Sequence, residues 1–250
     1  MAIVSMKDLL ESGVHFGHRK RRWNPKMRDY IFAERNGIHI IDLEQTLELL
    51  KEAYLAVRTR VEEKGTILFV GTKRQIRDII EEEARRCGAH WVTERWLGGT
   101  LTNFRTIRRS IEKYQTLIDM EEKGEFQKLL KKEAMKLMKQ KDRMSKFFEG
   151  IRELNELPSI LYVVDVKKEE TAVLEARKVG VPVVGLVDTN GNPDYVDYPI
   201  PGNDDAIRSV RLITGFIATA VLEGKLALSE EKEQGRQEKQ EKQSEDDREA

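Results

Sequence analysis

The stretch Thr66-Ile67-Leu68-Phe69-Val70-Gly71-Thr72-Lys73-Arg74 reads as a buried strand turning into a helix. Four large apolar residues run without a break into a glycine, and an amphipathic pattern (Ile76, Ile79, Ile80, Ala84, Cys87) follows. Uninterrupted apolar runs of this length belong to strands covered on both faces, and the three-four spacing after them belongs to a helix. The same alternation recurs along the chain. Strand-like runs stand at Gly37–Ile41, His90–Val92, Ser159–Val164, Val181–Val187 and Asp197–Ile200, and helical patterns at Leu43–Glu63, Arg74–Cys87, Lys168–Val179 and Asp204–Leu222. Strands alternating with helices imply right-handed crossovers, hence an α/β, Rossmann-like parallel sheet sandwiched by helices.

The alternation stops between Thr102 and Pro158. Phe104, Ile107, Ile111, Tyr114 and Ile118 form one narrow seam; Leu130, Ala134, Leu137, Met144, Phe148 and Ile151 form a second, interrupted at Lys141. Gly124 lies between them, where an antiparallel helical hairpin would turn. An inserted coiled-coil hairpin is therefore expected. The resulting organisation is a basic N-terminal segment (1–36) with a short helix near Lys7–Ser12, a sheet domain (37–101 and 158–228), the hairpin (102–157) and a tail (229–250). The tail holds no large apolar residue and is expected to be disordered.

Lysine plus arginine equal aspartate plus glutamate at 44 each, so net charge alone gives no sign of a polyanion partner. Its distribution does. Residues 1–157 hold 32 cations against 25 acids, and residues 158–250 hold 12 against 19. Cys87 is the one cysteine and falls on a helical apolar face, which implies a core thiol in a reducing compartment. No long apolar run or leader pattern is present, so a cytoplasmic protein with no membrane partner is expected.

The segment Arg19-Lys20-Arg21-Arg22-Trp23-Asn24-Pro25-Lys26-Met27-Arg28 carries six cations, no acid and a tryptophan. Cations neutralise phosphates and an indole offers a stacking face, so RNA contact is predicted for Arg19, Lys20, Arg21, Arg22, Trp23, Asn24, Lys26 and Arg28; the alternative is a solvated basic loop. In Arg95-Trp96-Leu97-Gly98-Gly99-Thr100-Leu101-Thr102-Asn103-Phe104 the paired glycines permit a tight bend, and Thr102 or Asn103 is placed to cap the next helix. Arg95, Trp96 and Asn103, with Arg105, Arg108 and Arg109 on one helical face, extend the candidate RNA surface. Gly71-Thr72-Lys73-Arg74 resembles an anion-binding turn but matches neither phosphate-loop nor dinucleotide spacing. It is read as a plain strand-to-helix turn from which Lys73 and Arg74 touch backbone phosphate.

Two further constellations bear on catalysis and metal binding. Asp165 and Asp188 end predicted parallel strands, where open sheets place catalytic carboxylates, and a Mg²⁺-dependent phosphotransferase is the enzyme alternative. No accompanying lysine, serine or histidine motif supports it. His15 and His18 are three residues apart, and Asp188, Asp204 or Asp205 would have to complete a metal site; hydrogen-bonded polar histidines are the plainer expectation. A hairpin that docks proteins only is the remaining alternative.

Five strings in order, Gly13-Val14-His15-Phe16-Gly17-His18, Trp23-Asn24-Pro25-Lys26-Met27, Phe69-Val70-Gly71-Thr72-Lys73, Arg95-Trp96-Leu97-Gly98-Gly99 and Pro201-Gly202-Asn203-Asp204-Asp205-Ala206-Ile207-Arg208, resemble the bacterial ribosomal protein two family of the small subunit. The resemblance runs from about Ser5 to Gly224. It implies a structural, non-enzymatic constituent of the ribosome without cofactor or small-molecule substrate. It further implies binding of 16S rRNA at the junction of head and body, contact with neighbouring ribosomal proteins, and retention of the mRNA-binding ribosomal protein one.

Overall fold

The computed structural model describes residues 4–249, with side chains from Val4 to Glu230. Five strands form a parallel sheet in the order β5-β4-β6-β7-β8: β4 (Ile67–Val70), β5 (His90–Val92), β6 (Ile160–Val164), β7 (Val183–Val187) and β8 (Tyr198–Pro201). Every residue of β4, β6 and β7 is buried, as an uninterrupted apolar strand requires. Successive side chains serve opposite faces. Ile67, Phe69, Ile160, Tyr162 and Val164 join one core with α2 (Leu43–Glu62), α3 (Arg77–Cys87) and α7 (Ile207–Glu249). Leu68, Val70, Leu161 and Val163 join the other with α6 (Glu170–Val179) and the root of the hairpin. The α/β sandwich expected from the alternation is the observed fold.

Within α7 the segment Ile207–Glu230 is long and apolar enough to cross a membrane by length and composition. Val210, Ile213, Ile217 and Val221 are instead buried in the core shared with α2 and α3. The bounds of α7 run through the tail for which disorder is expected, and the side chains of that tail beyond Glu230 lie outside the described residues. Cys87 is buried, and burial pushes its thiol up to about 11, leaving an unreactive core sulfur.

The structure departs from the sequence reading at the N-terminal side. Gly37–Ile41 contributes no strand to the parallel sheet. Its core, β3 (Ile38–Ile41), is the centre of a separate antiparallel sheet between β1 (Phe16–Arg19) and β2 (Ile31–Arg35). The cause is a two-residue hairpin: Asn36 (φ 54°) and Gly37 (φ 74°) both occupy the left-handed region, the turn that matches strand twist. The expected short helix is present as α1 (Met6–Glu11), closed by a reciprocal cap between Ser5 and Asp8.

Residues 104–148 form two helices, α4 (Phe104–Glu122) and α5 (Lys131–Phe148), with Gly124 left-handed at the turn (φ 67°). Glu121 meets Lys141, Tyr114 meets Glu149, and Arg108 meets Leu154 and Asn155. Partner numbers rise as the α4 number falls, so the helices are antiparallel. Lys141, which breaks the apolar seam, is accommodated by both carboxylate oxygens of Glu121 at 2.6 Å.

Candidate nucleic-acid interface

The basic segment leaves β1 as two short 3-10 turns, Lys20–Arg22 and Pro25–Tyr30, and returns as β2. Thr189, just past β7, holds it at two points, and a buried side chain supplies a third. His18 N–H donates to Thr189 Oγ1 (2.8 Å), Asn24 N–H donates to the Thr189 carbonyl (2.7 Å), and Met27 is fully buried beneath the parallel sheet. The Asn24 side chain accepts from Lys26 N–H and starts the second turn, while Lys26 pairs with Asp194 and Lys20 with Glu34. Two lysines therefore fasten the loop, and Arg19, Arg21, Arg22 and Arg28 are left exposed on it. Trp23 is half-buried, with its ring 5.2 Å from that of His39. Its other surroundings form a cleft lined by Arg22, Asn24, Pro25, Asn190 and Tyr195.

Behind this loop lies a charge cluster at the C-terminal edge of the sheet. Lys73, just after β4, contacts Asp165 after β6 (2.8 Å) and Asp204 and Asp205 after β8 (2.5 and 2.8 Å). His18 reaches Asp188 through Nδ1 (3.0 Å) and Asp205 through Nε2 (3.3 Å). Burial favours an uncharged Lys73, but Asp204, Asp165 and Asp205 outweigh it and hold the ammonium charged. Burial, together with the charges of Asp188 and Asp165, pushes the Asp204 carboxyl well above its ordinary range. The hydrogen bond with Asp188 raises His18 above its usual value against the opposing effect of burial.

This arrangement decides what the switch point of the sheet, between β4 and β6, is able to bind. In open α/β sheets that crevice takes anionic ligands, through backbone N–H groups at a strand-to-helix turn. Here Thr72 gives its N–H (3.1 Å) and its hydroxyl (2.5 Å) to the buried carboxylate of Glu169. The chain's own carboxylate occupies the place a phosphate would take, and Lys73 is spent on three aspartates. Lys73 is accordingly engaged within the chain, whereas Arg74 is exposed.

Trp96 is likewise turned inward. Only 7% of its surface is exposed, and its Nε1–H donates to Glu175 on α6 (3.2 Å). Glu175 also accepts from the backbone of Gly99 (2.7 Å), Leu101 (3.0 Å) and Thr102 (3.2 Å) and from the Thr102 hydroxyl (3.1 Å). Burial alone would raise this carboxyl, but the converging donors hold it below its ordinary value. Asn103 stands at the N-cap of α4 yet caps nothing; its Oδ1 takes the Thr106 hydroxyl (2.9 Å). Of the three arginines of α4, Arg108 bonds Asn155 and the Leu154 carbonyl, whereas Arg105 and Arg109 are exposed, as is Arg95.

The two early histidines diverge. His18 enters the aspartate cluster, while His15 stacks on Phe16 at 4.0 Å, and its buried Nδ1 has no hydrogen-bond partner among the described residues. A hydrogen-bonded ring is expected at His15, and its Nδ1 is not so satisfied among the described residues. Among the described residues no group of three or more histidine, cysteine, aspartate or glutamate side chains is arranged to hold a metal ion. Glu169 and Glu175 are the functional residues that sequence reasoning missed. Each is an acid on or beside an otherwise ordinary helix, and its partners lie 73 to 97 positions away.

A sheet whose ligand crevice is filled by its own side chains, fronted by an anchored arginine-rich loop and bearing a helical arm, is the architecture of a scaffold, not a catalyst. A family model described as "Ribosomal protein S2" matches residues 9–224, and the chain belongs to that family. A curated relative, "Small ribosomal subunit protein uS2" of Coprothermobacter proteolyticus, is 55% identical over 225 residues, covering 90% of this chain and 84% of the relative. The chain is thus a structural, non-enzymatic protein of the small ribosomal subunit, and its place is the ribosome in the bacterial cytoplasm.

Proposed function

We propose that the protein binds 16S rRNA at the junction of head and body of the small subunit, with the Arg19–Arg28 loop as its principal grip. The anchoring of that loop carries the reading: Thr189 and buried Met27 fix its backbone while Arg19, Arg21, Arg22 and Arg28 stay exposed. A mobile basic tail would have to be ordered on binding, whereas a pre-fixed array of guanidinium groups meets phosphates without that cost. Arg74, Arg95, Asn103, Arg105 and Arg109 supply further exposed polar groups. Lys73 and Trp96 serve the interior, and Arg108 is engaged by Leu154 and Asn155, so these three are left out of the contact set. Contacts with neighbouring ribosomal proteins, and retention of ribosomal protein one, follow from the resemblance and belong to the same proposal.

Replacing Arg19, Arg21, Arg22 and Arg28 together by alanine should weaken binding to protein-free small-subunit rRNA, most at low salt, with a flatter dependence on salt concentration. Ultraviolet crosslinks from this loop to rRNA in the assembled subunit would support the assignment. Wild-type affinity of the fourfold variant at every salt concentration would end it.

A further inference from the structure

A second basic surface lies on α5, whose cations the sequence did not bring forward, and it meets Arg95 across a groove. A groove of about 720 Å³ runs between α5 and the loop after β5, lined by Arg95, Leu97, Lys136, Lys139, Arg143 and Phe147 among others. Its lining contains four cations and no carboxylate. Lys136, Lys139 and Arg143 follow three-four spacing, so they share one stripe of α5, and all three are exposed. Lys141 points to the other side and is neutralised there by Glu121. The floor is apolar, made by Leu97, Met144, Phe147 and Phe148.

We infer that this groove is a binding site for an RNA strand, with the phosphodiester backbone along Lys136, Lys139, Arg143 and Arg95 and a base set against Phe147. This rests on the rRNA-binding reading above and names the hairpin face that meets RNA. Seven residues of helix span about 10 Å. At roughly 3.4 Å per phosphate along one strand of a duplex, that distance covers about three phosphates. A stripe of cations over a partly exposed aromatic floor is the arrangement that holds a nucleic acid strand by charge and stacking. An extended acidic peptide would satisfy the cations but has no flat face for Phe147. The wall supplied by Arg95 also explains why the Arg95–Phe104 loop is pinned so firmly by Glu175: the pin fixes the width of the groove.

The test uses the full chain and protein-free small-subunit rRNA, with affinity measured across a salt series. Lys136→Ala/Lys139→Ala/Arg143→Ala should bind more weakly, with the slope of log affinity against log salt reduced by about 2, since each phosphate on a single strand contributes roughly 0.7. Alanine at three exposed helical positions does not weaken the helix, and an unchanged circular dichroism spectrum checks this. Lys136→Arg/Lys139→Arg/Arg143→Lys should bind as the parent does. The Arg19/Arg21/Arg22/Arg28 variant is measured in parallel. If that variant weakens and the groove variant does not, the groove assignment is overturned while the loop reading stands; if neither weakens, both fall. A groove variant that binds RNA normally but fails to join the particle would give the groove to a protein partner and overturn the inference.

Discussion

Trp96 and Glu175 are joined by a hydrogen bond of 3.2 Å between the indole Nε1 and a buried carboxylate that has four further donors around it. One acid on α6 thereby closes a loop belonging to a different part of the chain, and that loop is the root of the hairpin. The sheet, the loop and the projecting arm are linked through a single side chain.

Removing that carboxylate leaves several buried donors unsatisfied. Glu175→Ala should cost about 3 kcal/mol, which for a chain of this size is roughly 9 °C in Tm. Glu175→Gln keeps the shape but offers one acceptor oxygen in place of two, and should fall between. Thermal unfolding of the three proteins gives the order; equal melting temperatures would show that the loop is held by something else.

Gly150 fixes the return of the hairpin to the sheet. A Cβ built there would lie 2.1 Å from the carbonyl oxygen of Trp91 on β5, an approach that backbone relieves only by moving. Gly150→Ala should therefore destabilise by about 1–3 kcal/mol, in the range of overpacked cores. It should also raise hydrogen exchange in α5 more than in β6 or β7. An alanine variant with unchanged stability and exchange would mean that the hairpin root is loosely seated.

How much of this was legible in the sequence depended on how local the cause was. The strands β4, β6 and β7 declared themselves because burial on both faces needs an unbroken apolar run, and the hairpin because a narrow seam stops at Gly124. The N-terminal sheet stayed hidden because Ala33, Glu34 and Arg35 face solvent on a strand with no alternating pattern. The signal available was Asn36-Gly37, the strongest short hairpin signal there is. The basic loop was visible from composition, but composition does not tell an outward arginine from a committed lysine. The inward partners of Lys73 and Trp96 are invisible in the sequence for one reason: Asp204, Asp205 and Glu175 reach them across 79 to 132 positions, and no local pattern encodes that.

The aspartate cluster makes stability depend on pH. His18 and Asp204 both have values raised by folding. A group raised on folding contributes fully below its unfolded value, near 6.5 for His18 and 3.8 for Asp204, and the contribution disappears as pH rises through the folded value. Tm should therefore decline as pH climbs from about 6 to about 9, and His18→Asn should remove the part lost near neutrality. Asp205 is held low, chiefly by the hydrogen bond from Lys73 working against burial, so its contribution is lost at the acid end, as pH falls below 3.8. A melting temperature that rises between neutral and alkaline pH would contradict the assignment of these shifts.

Lys73 is the decisive member of that cluster. It is the cation shared by Asp165, Asp204 and Asp205, and Lys73→Met preserves its stem while deleting its charge. Breaking one side of a buried ionic network leaves carboxylates without compensation, a loss of about 3–5 kcal/mol. Because the damage is uncompensated negative charge, lowering the pH should relieve it: the gap in Tm between the parent and Lys73→Met should narrow on moving from about pH 8 to about pH 5, as the aspartates take up protons. A gap of constant size would assign the loss to packing instead of charge. The same variant separates scaffold from contact. If Lys73 only braces the sheet edge beneath the Arg19–Arg28 loop, Lys73→Met should leave the salt dependence of rRNA binding at temperatures well below its Tm unchanged, whereas a direct phosphate contact would flatten that dependence by about one.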